Sequence, residues 1–159
     1  MDETNMLTPD MKRVIEEQRL GFVATAAPDG TPNVSPKGTF VVLDDRTIAF
    51  AEIRSPATMR NLRANPHVEV NVVDVFTRSG YRFSGVASVV ERGDAAFDAL
   101  LRKVRSTLAS RVRAIVTISL TRALPLTSPA YDDGTTEAEL RRAWTVRYRK
   151  LQPDGRFEE

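Results

Sequence analysis

The chain has no cysteine, and that absence removes disulfides, thiolate nucleophiles and zinc–thiolate centres from consideration. It has one histidine, His67, so a histidine cluster is excluded and no Ser/His/Asp triad stands out. A dominant charge is lacking too: 23 basic residues face 21 acidic ones, a formal net charge of +2. Such a balance makes no demand for nucleic acid or a membrane surface as partner. No apolar run approaches the length of a membrane span. The first residues carry no apolar segment of the signal-peptide kind, so a cytoplasmic location is expected. Glycines are few, and Gly30, Gly38, Gly80 and Gly85 match neither a phosphate-loop nor a dinucleotide fingerprint.

What is present is an ordinary globular mix, 42% apolar and 28% charged over 159 residues. That length predicts one domain, residues 1–159, with a helical extension over about 126–150. Thr8 and Pro9 predict the start of a first helix, with Met11, Val14 and Ile15 on its apolar face. Residues 20–27 read as a buried strand, and Pro28-Asp29-Gly30-Thr31 as a turn. Residues 32–43 read as a second strand, interrupted by Pro36, which removes a ladder donor and implies an edge, a bulge or an open face. A third strand spans 47–51. Val68, Val70 and Val72 alternate with polar residues in a fourth strand over 67–75. Residues 81–91 form a fifth, in which Gly85 marks a bend or bulge. Asp94 is read as the cap of a longer helix bearing Phe97, Leu100, Leu101, Val104 and Leu108 on one stripe, with Arg102, Lys103 and Arg105 off it. Residues 113–120 are a sixth strand, 126–136 a loop and 137–148 a last helix with Leu140, Trp144 and Tyr148 aligned; the polar end is read as loose. The sum is a mainly β fold with peripheral helices, a six-stranded antiparallel barrel.

Between the third and fourth strands the chain turns at Arg54-Ser55-Pro56 into a short helix. Ser55 is a favoured N-cap and Pro56 suits the first helical position. The helix buries Met59 and Leu62 and ends before Asn65-Pro66. Arg54, Ser55, Thr58 and Asn61 then gather a guanidinium, hydroxyls, an amide and free backbone N–H groups near a helix N-terminus, a ready anion site. Ser35, Pro36, Lys37 and Gly38 add a hydroxyl, a cation and an unpaired backbone stretch on the preceding strand. If the two strands are neighbours, both sets face one ligand. The plainer alternative is a solvated lysine beside an ordinary helix cap. Asp44-Asp45 and Asp132-Asp133 sit in turns, where aspartate bonds its own backbone, and His67 reads as a surface residue.

The order and spacing of residues 21–25 with the Pro-Asp-Gly turn, 32–38, 54–62, 65–68, 81–87 and 128–134 with Trp144 resemble the FMN-binding split β-barrel family of pyridoxamine 5′-phosphate oxidase-like proteins. The resemblance covers about residues 8–150. It implies a homodimer with FMN at each subunit interface. It implies that Ser35, Pro36, Lys37 and Gly38 run beside the flavin, that Ile53, Arg54, Ser55, Thr58 and Asn61 surround its phosphate, and that Arg78 and Arg82 approach from a neighbouring strand or the partner subunit. It also implies that Trp144 and Arg147 cover the flavin. The chain departs from the true oxidase: Ser55-Pro56-Ala57-Thr58 stands where that enzyme has an arginine–lysine pair, and the tail holds no histidine for a substrate phosphate. The implied function is therefore an FMN flavoprotein, an oxidoreductase taking electrons from a nicotinamide donor for an unknown small molecule, rather than an oxidase of pyridoxamine phosphate. An alternative is a non-catalytic flavin, deazaflavin or haem storage or sensing module. A nucleic-acid adaptor role for Arg141, Arg142, Arg147, Arg149 and Lys150 is outweighed by Glu137 and Glu139 in the same helix.

Overall fold

The computed structural model describes residues 6–104 and 106–152. Helix α1 (Pro9–Gln18) starts as the sequence predicts, with Thr8 accepting a hydrogen bond from the Met11 amide. Strands β1 (Gly21–Ala26) and β2 (Pro32–Lys37) form a hairpin about the Pro-Asp-Gly turn, in which Gly30 takes a positive φ of 85°. Then come β3 (Val41–Val42), β4 (Thr47–Glu52), α2 (Pro56–Ala64), β5 (His67–Asp74) and β6 (Ser79–Glu91). Helix α3 (Phe97–Val104), β7 (Ala114–Leu126) and α4 (Glu137–Leu151) complete the chain.

The strands make one antiparallel sheet in the order β2-β1-β5-β6-β7-β4-β3. That order closes the fold. Strand β2 lies at one edge and β3 at the other, yet only residues 38–40 join them. Four Cα steps reach no further than about 15 Å. The sheet must curl until its edges approach, without hydrogen bonds between them: a split barrel. Inside it pack Val23, Phe40, Phe50, Val70, Phe83, Ile118 and Leu120, plugged by Ile15 of α1 and Met59 and Leu62 of α2. Strand β4 is buried on both faces, because Ala49 and Ala51 point the other way, under Phe97 and Val104 of α3. Among the described residues no helix is long and apolar enough to cross a membrane.

Several expected boundaries shift. The second strand is two strands, so the described residues hold seven rather than six. The third begins where expected and the sixth runs on to Leu126, because β6 keeps offering a partner as far as Gly80. Helix α3 stops at Val104 and leaves Leu108 exposed; Asp94 accepts from the Glu91 amide in a turn before it rather than capping it. Arg105 and the tail read as loose, 153–159, lie outside the described residues.

Helix α1 is tied over the barrel by Tyr81, whose hydroxyl donates to Asp10 Oδ2 at 2.5 Å. That bond pushes the Tyr81 phenol up to about 12 and, together with Arg13, holds Asp10 below its usual value. Tyr81 therefore stabilises the fold fully below pH 10.0 and loses that contribution as pH rises through about 12. An ultraviolet titration of the protein minus that of Tyr81→Phe should show one phenol ionising near 12; a difference curve centred at the ordinary value of 10.0 would contradict the bond.

Candidate functional site

The ends of β2 and β4 meet, though not as paired strands. Four strands separate β2 from β4 in the sheet, and the curl brings their last residues together across the split. Lys37 is the last residue of β2 and Glu52 the last of β4; Ser55 follows in the turn to α2. The Ser55 amide donates to Glu52 Oε1 at 2.6 Å, and the Ser55 hydroxyl donates to Glu52 Oε2. Lys37 Nζ donates to Ser55 Oγ at 2.5 Å and lies 3.5 Å from Glu52 Oε2. All three residues are buried, with exposures of 8% for Lys37, 4% for Glu52 and 7% for Ser55. The ammonium also stands 5.6 Å from the centre of the Phe50 ring. Burial pulls Lys37 below the usual lysine value, and the charge of Glu52 opposes that shift.

Ser55 was expected to cap α2 with its hydroxyl. It occupies the cap position, but the hydroxyl makes no bond to the helix. A buried carboxylate three residues back is the stronger acceptor for its hydrogen, and Lys37 takes its lone pair. The result is a donor set of amide, hydroxyl and ammonium gathered around one oxyanion.

A second polar network fastens α2 to the barrel. Asn33 Nδ2 donates to Thr25 Oγ1 at 3.2 Å and to Thr58 Oγ1 at 3.1 Å, and Asn61 Nδ2 donates to Thr25 Oγ1 at 3.1 Å. Thr58 and Asn61 are thus buried and bonded within the protein. Thr25 and Asn33 were not singled out in the sequence. The signal was there: a hairpin about the Pro-Asp-Gly turn pairs Thr25 with Asn33 directly.

Arg54 is exposed beside this group and makes no ion pair among the described residues. Ser35 shares the inner face of β2 with Asn33 and Lys37, while Pro36 faces out and Gly38 is exposed beyond the strand. Ile53 packs into the cluster beneath α3. Arg78, Arg82 and Trp144 are elsewhere. Arg78, at a left-handed φ of 57°, lays its guanidinium 4.1 Å from the Trp144 ring, and Tyr148 and Arg147 flank the same indole. Arg141 docks that helix through a 3.0 Å contact to buried Asp74. Arg82 bonds Asn71 and lies 3.6 Å from Glu69 on the outer face of β5 and β6. No hydrogen bond or ion pair joins these three residues to the Lys37 group within the described residues.

The model of a family described as pyridoxamine 5′-phosphate oxidase matches residues 7–133, most of the chain. The chain belongs to that family. The match ends before α4, so Trp144, Arg147 and Tyr148 lie outside the part that defines membership, while Arg78 lies within it. Among solved structures, HupZ of Group A Streptococcus is 32% identical, with a TM-score of 0.67 over 77% of this chain and 96% of HupZ. An FMN-binding protein of Syntrophomonas wolfei is 15% identical, with a TM-score of 0.65 over 74% of this chain and 84% of its own. An F420 reductase is 23% identical, with a TM-score of 0.58 over 74% of this chain and 98% of its own. The last two likenesses establish the split-barrel fold and no more. No curated protein matches the chain.

Proposed function

We propose that this member of the family is an FMN-binding flavoprotein that works as an oxidoreductase, with the flavin phosphate held where β2, β4 and α2 converge. The observation that carries the reading is the donor set on Glu52. An amide, a hydroxyl and an ammonium already grip a carboxylate there, so the residues present suit an oxyanion. The Glu52 carboxylate stands in for the phosphate oxygens. Arg54, exposed and without an ion pair among the described residues, is the cation free to meet a phosphate from solvent. Lys37 and Ser55 lie behind it, and Asn33, Thr58 and Asn61 hold α2 in place.

Bound FMN would supply hydride and electron transfer between a nicotinamide donor and a small-molecule acceptor. The chain's own part is to fix the phosphate, orient the ligand and keep water from the buried ammonium. In a homodimer, the exposed outer face bearing Phe22 and Val34 would be covered by the second copy, and Arg82 and Trp144 would approach the partner's flavin. The likeness to an F420 reductase supports a deazaflavin as the second candidate ligand. Fluorescence titration with FMN, riboflavin and a deazaflavin separates these. Replacing Arg54 by alanine should weaken FMN binding by about 1.5–3 kcal/mol, the worth of a charge-assisted bond. Undiminished FMN affinity in that variant would contradict the phosphate site.

A further inference from the structure

The oxyanion position between Lys37 and Ser55 already has an occupant. Glu52 uses both carboxylate oxygens, one on the Ser55 amide and one on the Ser55 hydroxyl, and Lys37 is its counter-ion. An entering phosphate must either displace this carboxylate or lie next to it. Two anions in one buried site repel strongly, and the single buried ammonium neutralises only one charge, Arg54 being exposed to solvent. Displacement trades one charge-assisted set of bonds for another of similar strength. In both cases little of the strength of Lys37 and Ser55 reaches the ligand.

We infer that Glu52 is a specificity-determining residue: it competes with a ligand's phosphate for Lys37 and Ser55, so that discrimination between phosphorylated and unphosphorylated forms of the same ligand rests on Arg54 and not on the buried pair. For flavins this rests on the function proposed above; for a bare oxyanion it does not. Glu52 is built to act this way. It ends a strand and precedes a two-residue turn, and among the described residues its carboxylate is bonded only to the two residues for which it competes.

The test compares the intact protein with Glu52→Gln, which keeps the side-chain shape and removes the charge, and with Glu52→Asp, which keeps the charge and withdraws it by one methylene. Affinities for FMN and riboflavin are read by flavin fluorescence, and melting temperature is followed with added inorganic phosphate. In the intact protein the preference for FMN over riboflavin should not exceed what Arg54 alone supplies, about 10- to 150-fold, and Arg54→Ala should remove it. Glu52→Gln should raise the FMN-to-riboflavin ratio by about tenfold or more, with Glu52→Asp in between. Phosphate should raise the melting temperature of Glu52→Gln, leave the intact protein unchanged, and lose its effect in Lys37→Met/Glu52→Gln.

A preference for FMN that survives in Arg54→Ala, or an unchanged ratio in both Glu52 variants, would overturn the inference. If the intact protein binds no flavin, the flavin reading fails by itself. The phosphate response then decides: stabilisation of the Glu52 variants but not of the intact protein upholds the competition, and no stabilisation of either variant overturns it. Should Glu52→Gln not fold, Glu52→Asp carries the same comparison.

Discussion

Glu52→Ala lowers the folding stability by about 3–5 kcal/mol, read from urea unfolding at neutral pH. The magnitude follows from what is left behind. Lys37 and Glu52 are both nearly out of reach of water, and each is the other's only counter-charge among the described residues. Removing the carboxylate strands an ammonium in a site whose other bonded neighbour is the Ser55 hydroxyl. It also leaves the Ser55 amide without its acceptor. Lys37→Met with Glu52→Leu should recover most of the loss, because the pair as a whole contributes little beyond a well-packed apolar replacement.

The pH dependence of the single variant has a definite sign. Burial lowers the Lys37 value in the folded state below the 10.5 of an ordinary lysine. Between those two values the unfolded chain binds more protons, so stability rises with pH there. Glu52 is what opposes that shift, so in Glu52→Ala the folded Lys37 value falls further; the deficit is full below the variant's value and shrinks as pH climbs from it to the intact protein's value. A loss under about 1 kcal/mol at neutral pH would show that the pair is solvated, and would remove the basis for a buried oxyanion site.

Gly85→Ala is expected to cost about 3 kcal/mol. Strands β6 and β7 lie in the interior of the sheet, and their ladder slips register between Ser84 and Gly85. A Cβ at residue 85 would sit 2.5 Å from the Ser119 carbonyl oxygen and 2.6 Å from Ile118 Cγ2. The carbonyl belongs to a strand held on both sides, by β6 and β4, so it cannot retreat cheaply. Gly38→Ala is the control. Nothing lies within 4 Å of where a Cβ would sit, and its φ lies outside the left-handed region, so a change within about 0.5 kcal/mol is expected. Equal effects at the two glycines, by thermal or urea unfolding, would contradict the close approach at the bulge.

The bulge at Gly85 was legible in the sequence because a glycine inside an alternating strand has few other uses. So were the hairpin about Pro28-Asp29-Gly30, the half-buried valines of β5 and the Pro56 start of α2, all set by residues within a few positions of each other. The break at 38–40 was not. Thr39, Phe40, Val41 and Val42 all suit a strand, and the chain leaves β2 only because the curled sheet needs a partner at its far edge. The site divides the same way. The sequence placed Lys37, Arg54 and Ser55 in one group, and the fold brings Lys37 to Ser55. It did not single out Glu52, since an acid at a strand end is common and only the packed barrel turns it inward onto a serine amide. The roles of Thr58 and Asn61 depend on Thr25 and Asn33, which come from a hairpin that local pattern does not dock against α2.

The most direct measurement is the visible absorption spectrum of the purified protein, before and after incubation with FMN and gel filtration. An oxidised-flavin spectrum retained in near-stoichiometric amount is the predicted result, and its reduction by a nicotinamide donor would establish the reductive half-reaction. A colourless protein that retains no FMN would contradict the flavoprotein reading while leaving the split barrel and its buried Lys37–Glu52 ion pair intact.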